Sequence, residues 1–164
     1  MLFPSPKAMV FVLALLAPAA PASAQAAADA SAQIYQEIRF AVLLELDFGS
    51  IVSTPAGGTV TLDPATNSRD CAGGTLVCSG GFSWSRLSLT GSDAIVEVTY
   101  APSFTLSGPG APITAELQFP GGSGAAVALT GGSATIDIGA SLHVNPDQLP
   151  GEYAGEFSVD VNYQ

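Results

Sequence analysis

The clearest hydrophobic pattern in this sequence is PGEYAGEFSVDVNYQ, residues 150–164. Apolar and polar residues alternate there, which is the period of a β-strand with one buried face. The apolar face carries Tyr153, Phe157, Val159, Val161 and Tyr163, and the polar face carries Glu152, Glu156, Ser158, Asp160 and Asn162. A long apolar strand invites unplanned pairing unless something covers it. The pattern therefore raises the question of what covers this strand.

Similar alternating runs recur along the chain. Residues 38–48 predict a long strand with apolar side chains at the even positions. Further runs are GGTVTLDP, FSWSRLSLTG, AIVEVTYAP, and residues 113–119 and 134–144, and Gly, Pro, Asn and Asp separate them. Short strands between such turns are typical of an antiparallel sandwich. We expect one all-β domain, an antiparallel β-sandwich with Greek-key connections.

The N-terminal residues 1–24 resemble a secretory signal peptide. Lys7 supplies the positive charge, residues 8–17 are apolar, and small residues precede a cleavage site between Ala24 and Gln25. We therefore expect an exported protein of residues 25–164, located in the periplasm, at the cell surface or secreted. No later run approaches the about 20 apolar residues of a membrane helix, so we expect no stable membrane insertion.

Two cysteines, Cys71 and Cys78, lie close together in CAGGTLVC. In an oxidising compartment such a pair favours a disulfide, and a turn at Gly74 and Thr75 would place the two opposite each other in a hairpin. A metal or redox site is the weaker interpretation, because the spacing is not CxxC and one distant histidine cannot complete a tetrahedral site.

The charge balance is strongly acidic, with a net charge of −10 and 14 acidic residues against 4 basic ones. Such a surface repels nucleic acid, so we expect no nucleic-acid partner. The acidic residues are dispersed along the sequence, which indicates solubility more than a binding site.

Candidate catalytic and metal-binding residues are few. His143 is the only histidine, and with Ser141 it lacks the context of a hydrolase nucleophile. Glu45 and Asp47 share a strand face, as paired glycosidase acids do, but neighbours on a polar face are usually only solvated. Trp84 is expected in the core. We predict no catalytic, cofactor-binding or metal site, and no enzyme.

DPATNSRD contains three further oxygen-bearing candidates for calcium: Asp63, Asn67 and Asp70. Their spacing matches no calcium loop, and residues of this kind more simply form turns.

The C-terminal spacing resembles that of pilins assembled by the chaperone–usher pathway. Counted back from Gln164 as position 1, Tyr163 is the penultimate aromatic residue, Val161, Val159 and Phe157 are positions 4, 6 and 8, and Gly151 is position 14. The resemblance implies an incomplete immunoglobulin-like sandwich, whose groove receives a strand first from a periplasmic chaperone and then from the next subunit. It implies Gly151, Tyr153, Phe157, Val159, Val161 and Tyr163 as the assembly strand, and residues 25–34 as the candidate donor segment.

A second resemblance covers most of the exported chain. LDFGSIV, GGTVTLDP, LSLTG and PGEYAGEFSVDVNY look like a bacterial exported family known as domain of unknown function 4402, common in Gram-negative bacteria and similar to pilin-like and spore-coat-protein-U-like modules.

Two functions follow as expectations from these resemblances and from the strand pattern. The first is a non-enzymatic subunit of a surface fibre or coat, joined by strand complementation to homo- or hetero-subunits. The alternative is a self-contained periplasmic or secreted binding or adhesion module, in which the N-terminal strand closes its own sandwich.

Overall fold

The computed structural model describes residues 26–71 and 75–164, and these residues form strands and no helix. No helix of the described residues is therefore long and apolar enough to cross a membrane. The predicted signal peptide, its cleavage site at Ala24 and Gln25, and the turn residue Gly74 lie outside the described residues. Residues 34–164 form one compact unit, and residues 26–33, which are outside strands, belong to a separate N-terminal unit.

Twelve strands follow one another in the described residues. They are β1 Arg39–Leu44, β2 Ser50–Val52, β3 Gly58–Asp63, β4 Ser68–Asp70, β5 Val77–Ser79, β6 Ser85–Thr90, β7 Ile95–Tyr100, β8 Ser103–Leu106, β9 Ile113–Gln118, β10 Ala125–Ala128, β11 Ser133–Val144 and β12 Val159–Tyr163. All their pairings are antiparallel. The expected all-β antiparallel class is confirmed.

The longest strand, β11, organises the seven-stranded sheet. Its first half, Ser133–Ile138, pairs with β6, and its second half lies between β3 and β9. On the far side of these neighbours, β1 pairs with β6, β4 with β3, and β8 with β9. This arrangement places β1 at one edge of the sheet.

The remaining strands form two smaller sheets. One has the order β10-β7-β12, so that the C-terminal strand lies at its edge, and the other pairs β2 with β5. The N-terminal and C-terminal strands of the domain are thus both edge strands, and no ladder of the described residues joins them.

One hydrophobic cluster fills the interior, and the alternation of the strands explains its membership. In β6, for example, Ser85, Leu87 and Leu89 are buried while the residues between them are less so. Strands β3, β7, β9 and β11 contribute in the same way, because successive side chains point to opposite faces. The largest fully buried side chains are Leu62, Leu89, Leu129, Ile138, Val60, Val96 and Val98.

The predicted disulfide between Cys71 and Cys78 is present, with the two Cα atoms 6.4 Å apart. The flanking strands do not form the expected hairpin, however: β4 pairs with β3, and β5 pairs with β2. Each flank finds its backbone partner in a different sheet. The disulfide therefore links two sheets, which local sequence could not indicate.

Removal of this disulfide by the double substitution Cys71→Ser and Cys78→Ser should lower the free energy of unfolding by about 2 to 3 kcal/mol, from the entropy gained by the unfolded chain. Urea denaturation of the oxidised protein and of the variant measures the difference. A reduced wild-type sample should match the variant. An unchanged stability would show that the bond does not restrict the unfolded chain.

Candidate strand-binding groove

The first bank of the candidate site is the chain from residue 37 to residue 52. It is less continuous than the alternation of residues 38–48 predicts, because the register with β6 shifts between Val42 and Leu44 and β1 ends at Leu44. Beyond it, Asp47 pairs with Ser83 as an isolated bridge, and β2 begins at Ser50. An extra residue in one strand is a β-bulge, which bends the strand and ends regular pairing.

Strand β1 exposes apolar side chains although its pattern predicts burial. All six residues are exposed, with Phe40 at 49% and Val42 at 61% of their full surface. These two side chains share the face of their cross-strand partners Leu89 and Leu87, which are buried. Phe40 and Val42 therefore face the interior side of the sheet at a place where no described strand covers them.

The second bank is the C-terminal segment of residues 149–163. Its two faces are as predicted: the apolar residues from Tyr153 to Tyr163 are half-buried, and the polar residues between them are exposed. The strand is shorter than the pattern predicts, since the ladder with β7 covers only Val159–Tyr163. Before it, a single bridge joins Ala154 to Ser107, and Gly155 approaches the Thr105 carbonyl so closely that a side chain would collide.

A groove runs between these two banks. Its first part, with a volume of about 870 Å³, is bordered by Phe40 and Val42 on one side and by Phe157 and Val159 on the other. Its second part, about 1010 Å³, continues along Ser50–Val52 and residues 148–154. Both parts share the same middle residues: Leu46, Phe48, Leu106, Tyr153 and Ala154. The site is thus one long cleft with an apolar floor.

The floor combines predicted and unpredicted residues. The rings of Phe104 and Phe157 pack with centroids 5.2 Å apart, and Phe104 comes from β8. Sequence reasoning missed Phe104 and Leu106, although SFTL alternates and this alternation was the available signal. Their position depends on how β8 is placed by its pairing with β9, which is a tertiary feature.

One end of the groove is closed by Tyr163. Its hydroxyl accepts a hydrogen bond from the Ser92 backbone N–H at 2.7 Å and donates one to the Gln36 carbonyl at 2.8 Å. The Tyr35 ring stacks on the Tyr163 ring at 4.5 Å. Gly91 lies against the hydroxyl, where a side chain would collide. The penultimate tyrosine therefore fastens the start of the first bank to the end of the second.

The other end is closed by contacts between residues 53–54 and 147–148. The Ser53 hydroxyl donates to the Gln148 carbonyl at 2.9 Å, and the Asp147 N–H donates to the Thr54 carbonyl at 3.1 Å. Gln148 is buried, and its amide N–H groups donate to the Tyr153 hydroxyl and to the Ala111 carbonyl. Between the two closed ends, no backbone ladder joins the banks within the described residues.

Acidic side chains line the rim of the groove. Glu45 and Asp47 lie on the first bank, and Glu152 and Glu156 lie on the second. All four are exposed. The pair Glu45 and Asp47, considered above as glycosidase acids, thus forms part of this rim.

The candidate catalytic residues Ser141 and His143 have different hydrogen-bond partners in the structure. The Ser141 hydroxyl is buried and hydrogen-bonds Thr61 at 3.0 Å and Gln118 at 2.7 Å. His143 is exposed, with Nδ1 3.3 Å from the Thr59 hydroxyl and Nε2 3.6 Å from Glu116. Ser141 and His143 have separate partners, so the hydroxyl is not activated by the imidazole in this arrangement.

The three calcium candidates are distributed over two strands and a turn: Asp63 ends β3, Asn67 lies in the turn after it, and Asp70 ends β4. The Asp63 carboxylate accepts hydrogen bonds from the Thr66 hydroxyl and the Ala65 N–H, both at 2.8 Å, and these hold the pKa of Asp63 below its usual value. Asn67 adopts a left-handed conformation with φ of 52°. These features are those of a tight turn.

The expectation that Trp84 lies in the core is wrong: it is half-buried beside an ion pair on the outer face of the large sheet. Arg86 and Asp137 are cross-strand partners and form two hydrogen bonds, of 2.6 and 3.0 Å. The hydrogen bonds from Arg86 lower the pKa of Asp137, and burial opposes this effect. The Arg86 guanidinium lies 5.9 Å from the Trp84 ring centroid.

Comparison with protein-family models matches residues 38–163 to the family described as Domain of unknown function (DUF4402). The chain belongs to this family. The match begins just before β1 and ends with the last residue of β12, so the DUF4402 domain contains both strands, β1 and β12, that border the groove. The recognition of the family from sequence is thereby confirmed, whereas the similarity to pilin-like and spore-coat-protein-U-like modules stays a prediction. Comparison with curated proteins and with solved structures finds no match to the chain.

In this DUF4402 domain, Tyr163→Phe should lower the free energy of unfolding by about 1 to 3 kcal/mol, since it removes two hydrogen bonds and keeps the ring. Urea denaturation measures the change. Tyr100→Phe is the matched control, because the half-buried Tyr100 hydroxyl makes no side-chain hydrogen bond among the described residues. Equal effects of the two substitutions would contradict the fastening role of Tyr163.

The ion pair predicts a contribution to acid sensitivity. The pKa of Asp137 in the folded state lies below the ordinary 3.8, so its ionised form stabilises the fold above that pH, and the stabilisation is lost as the pH falls through the folded-state pKa. Asp137→Asn should therefore be less stable than wild type at pH 7, and the difference should shrink as the pH falls below 3.8. Denaturation at a series of pH values checks this. Asp93→Asn, at an exposed site, should show no such convergence.

Proposed function

We propose that this protein is a non-enzymatic structural subunit of a bacterial surface fibre or coat, exported from the cell and assembled by β-strand complementation. The fold is that of an immunoglobulin-like, pilin-like sandwich with Greek-key connections. The groove between residues 37–52 and 149–163 accepts an extended strand from another chain. The observation that carries the proposal is the pair of edge strands, β1 and β12, that face the groove without a common partner.

The backbone of both banks supports this function. Strand β1 pairs with β6 on one side, and β12 pairs with β7 on one side, so each keeps a row of N–H and C=O groups available among the described residues. An inserted strand pairs with such edges through main-chain hydrogen bonds, while its side chains enter pockets at alternate positions. A periplasmic chaperone or a neighbouring subunit supplies such a strand.

The apolar surface of the groove supports it as well. Phe40 and Val42 are about half exposed, so covering them would contribute about 1 kcal/mol each. The two parts of the groove have volumes of about 870 and 1010 Å³, whereas a small-molecule pocket measures roughly 300 to 1,000 Å³ in total. An extended polypeptide segment is large enough to occupy both parts.

The candidate donor segment, residues 25–34, supplies a direct test. Residues 26–34 are exposed and outside strands, with Ala26, Ala28, Ala30, Ala32 and Ile34 at alternate positions. A peptide of residues 25–34 should raise the thermal midpoint of the purified protein. The same peptide with Ala28→Val, Ala30→Val and Ala32→Val should raise it further, because each added methylene contributes about 0.8 kcal/mol when buried.

At a concentration 100 times the Kd, bound peptide should raise the midpoint by about 5 to 10 °C. Val42→Asn should abolish the shift. Val77→Asn is the matched control, since Val77 has nearly the same exposure, 62%, on an edge strand and lines neither part of the groove. A midpoint that neither peptide raises, or a shift that survives Val42→Asn, would refute strand complementation at this groove.

The self-contained binding or adhesion module remains the second candidate. The closed ends of the groove favour it, because Tyr163 and Gln36 at one end and Ser53 and Gln148 at the other hold the two banks together within one chain. An unboiled SDS gel of native material distinguishes the two functions. Interlocked subunits give a ladder of bands, whereas a self-contained module gives a single band.

A further inference from the structure

The rim of the groove is acidic, whereas its floor is apolar. Glu45 and Asp47 on one bank face outward, and so do Glu152 and Glu156 on the other. The residues that line the two parts of the groove include no lysine, arginine or histidine. An extended strand between the banks would thus lie among four exposed carboxylates.

Three described arginines lie on strands around this rim, and none of them forms an ion pair with Glu45, Asp47, Glu152 or Glu156. Arg69 donates to the carbonyl of Phe48 on the first bank and to that of Ser79, and Arg86 is paired with Asp137 on the outer face. Arg39 lies 3.7 Å from the Glu37 carboxylate. The rim therefore keeps its negative charge, in a protein whose sequence carries a net charge of −10.

The chain's own N-terminal segment matches this groove poorly. Its alternate side chains are mainly alanine methyl groups, which reach little of a floor built from Phe, Leu and Val side chains. Between them it carries Asp29 and no basic residue. A like charge placed opposite a carboxylate in a neighbouring strand is destabilising.

We propose that the preferred occupant of the groove is an extended segment of a different protein, with large apolar side chains at alternate positions and lysine or arginine between them. This inference rests on the proposed function of the groove. The apolar side chains fill the floor, and the basic side chains lie on the outer face beside the acidic rim. Opposite charges on neighbouring strands attract, and a complementary rim raises the association rate more than it slows dissociation.

Three peptides test the charge preference with the apolar face held constant. All derive from residues 25–34 with Ala28→Val, Ala30→Val and Ala32→Val. The cationic peptide adds Asp29→Lys, Ser31→Lys and Gln33→Lys, the neutral peptide adds Asp29→Asn, and the anionic peptide keeps Asp29 and adds Ser31→Glu and Gln33→Glu. Fluorescence anisotropy gives each Kd, and stopped-flow mixing gives the association rate.

At low ionic strength the cationic peptide should bind about threefold to thirtyfold more tightly than the neutral one, and the anionic peptide more weakly than both. Most of the difference should lie in the association rate. In 1 M salt, where charges are screened beyond about 3 Å, the three affinities should converge.

Variants of the protein locate the effect. Glu45→Gln with Glu156→Gln, one from each bank, should reduce the cationic preference. Asp93→Asn with Glu116→Gln is the charge-matched control, since both acids are exposed and neither lines the groove, and it should leave the preference unchanged.

Each contrary outcome has a distinct meaning. Equal affinities of the three peptides at low salt would overturn the charge inference, while binding that depends on Val42 would still support strand complementation. Cationic binding that survives Val42→Asn, or that the control pair reduces as much as the rim pair, would show general attraction to an acidic protein and would overturn the inference. If no peptide binds, the charge inference and the proposed function both fail.

Discussion

Backbone hydrogen bonding at the first and last strands is the constraint on which the rest of the structure depends. Strands β3, β6, β7, β9 and β11 pair on both sides, whereas β1 and β12 each have one ladder partner in the described part of the chain, as do the shorter strands β2, β4, β5, β8 and β10. The sequence nevertheless gives both strands the apolar alternation of a covered position. The groove lies where the apolar side chains of these two strands require a covering strand and no described strand supplies one.

Contacts at the two closed ends stabilise the folded chain although the groove between them is uncovered. Tyr163 and Gln36 at one end, and Ser53 and Gln148 at the other, hold the two banks at a fixed separation. The buried cluster below them comes from strands that are paired independently of the groove. The domain thus keeps its core while an apolar cleft stays open, which is the arrangement that the proposed strand binding requires.

Local sequence predicted much of the strand content. It also predicted which residues of the C-terminal segment lie on its buried face and which lie on its exposed face. The apolar side chains between Tyr153 and Tyr163 are half-buried and their polar neighbours are exposed, since alternation within one strand depends only on backbone geometry. It did not predict where ladders stop. The bulge near Leu43 and the unpaired stretch before Val159 depend on partners that are distant in sequence. The cysteine pair shows the same limit, because its bond was predictable and the two sheets that it links were not.

The sequence by itself determined the all-β class, the family, the disulfide and the apolar face of the C-terminal strand, because each is written in residues that are close together in the chain. Only the tertiary structure decided that residues 37–52 and 149–163 border one cleft, that Phe104 and Leu106 form part of its floor, and that four acids surround it. These features arise where segments about 100 residues apart meet. Their meeting is set by strand order in the sheets, which no local pattern specifies.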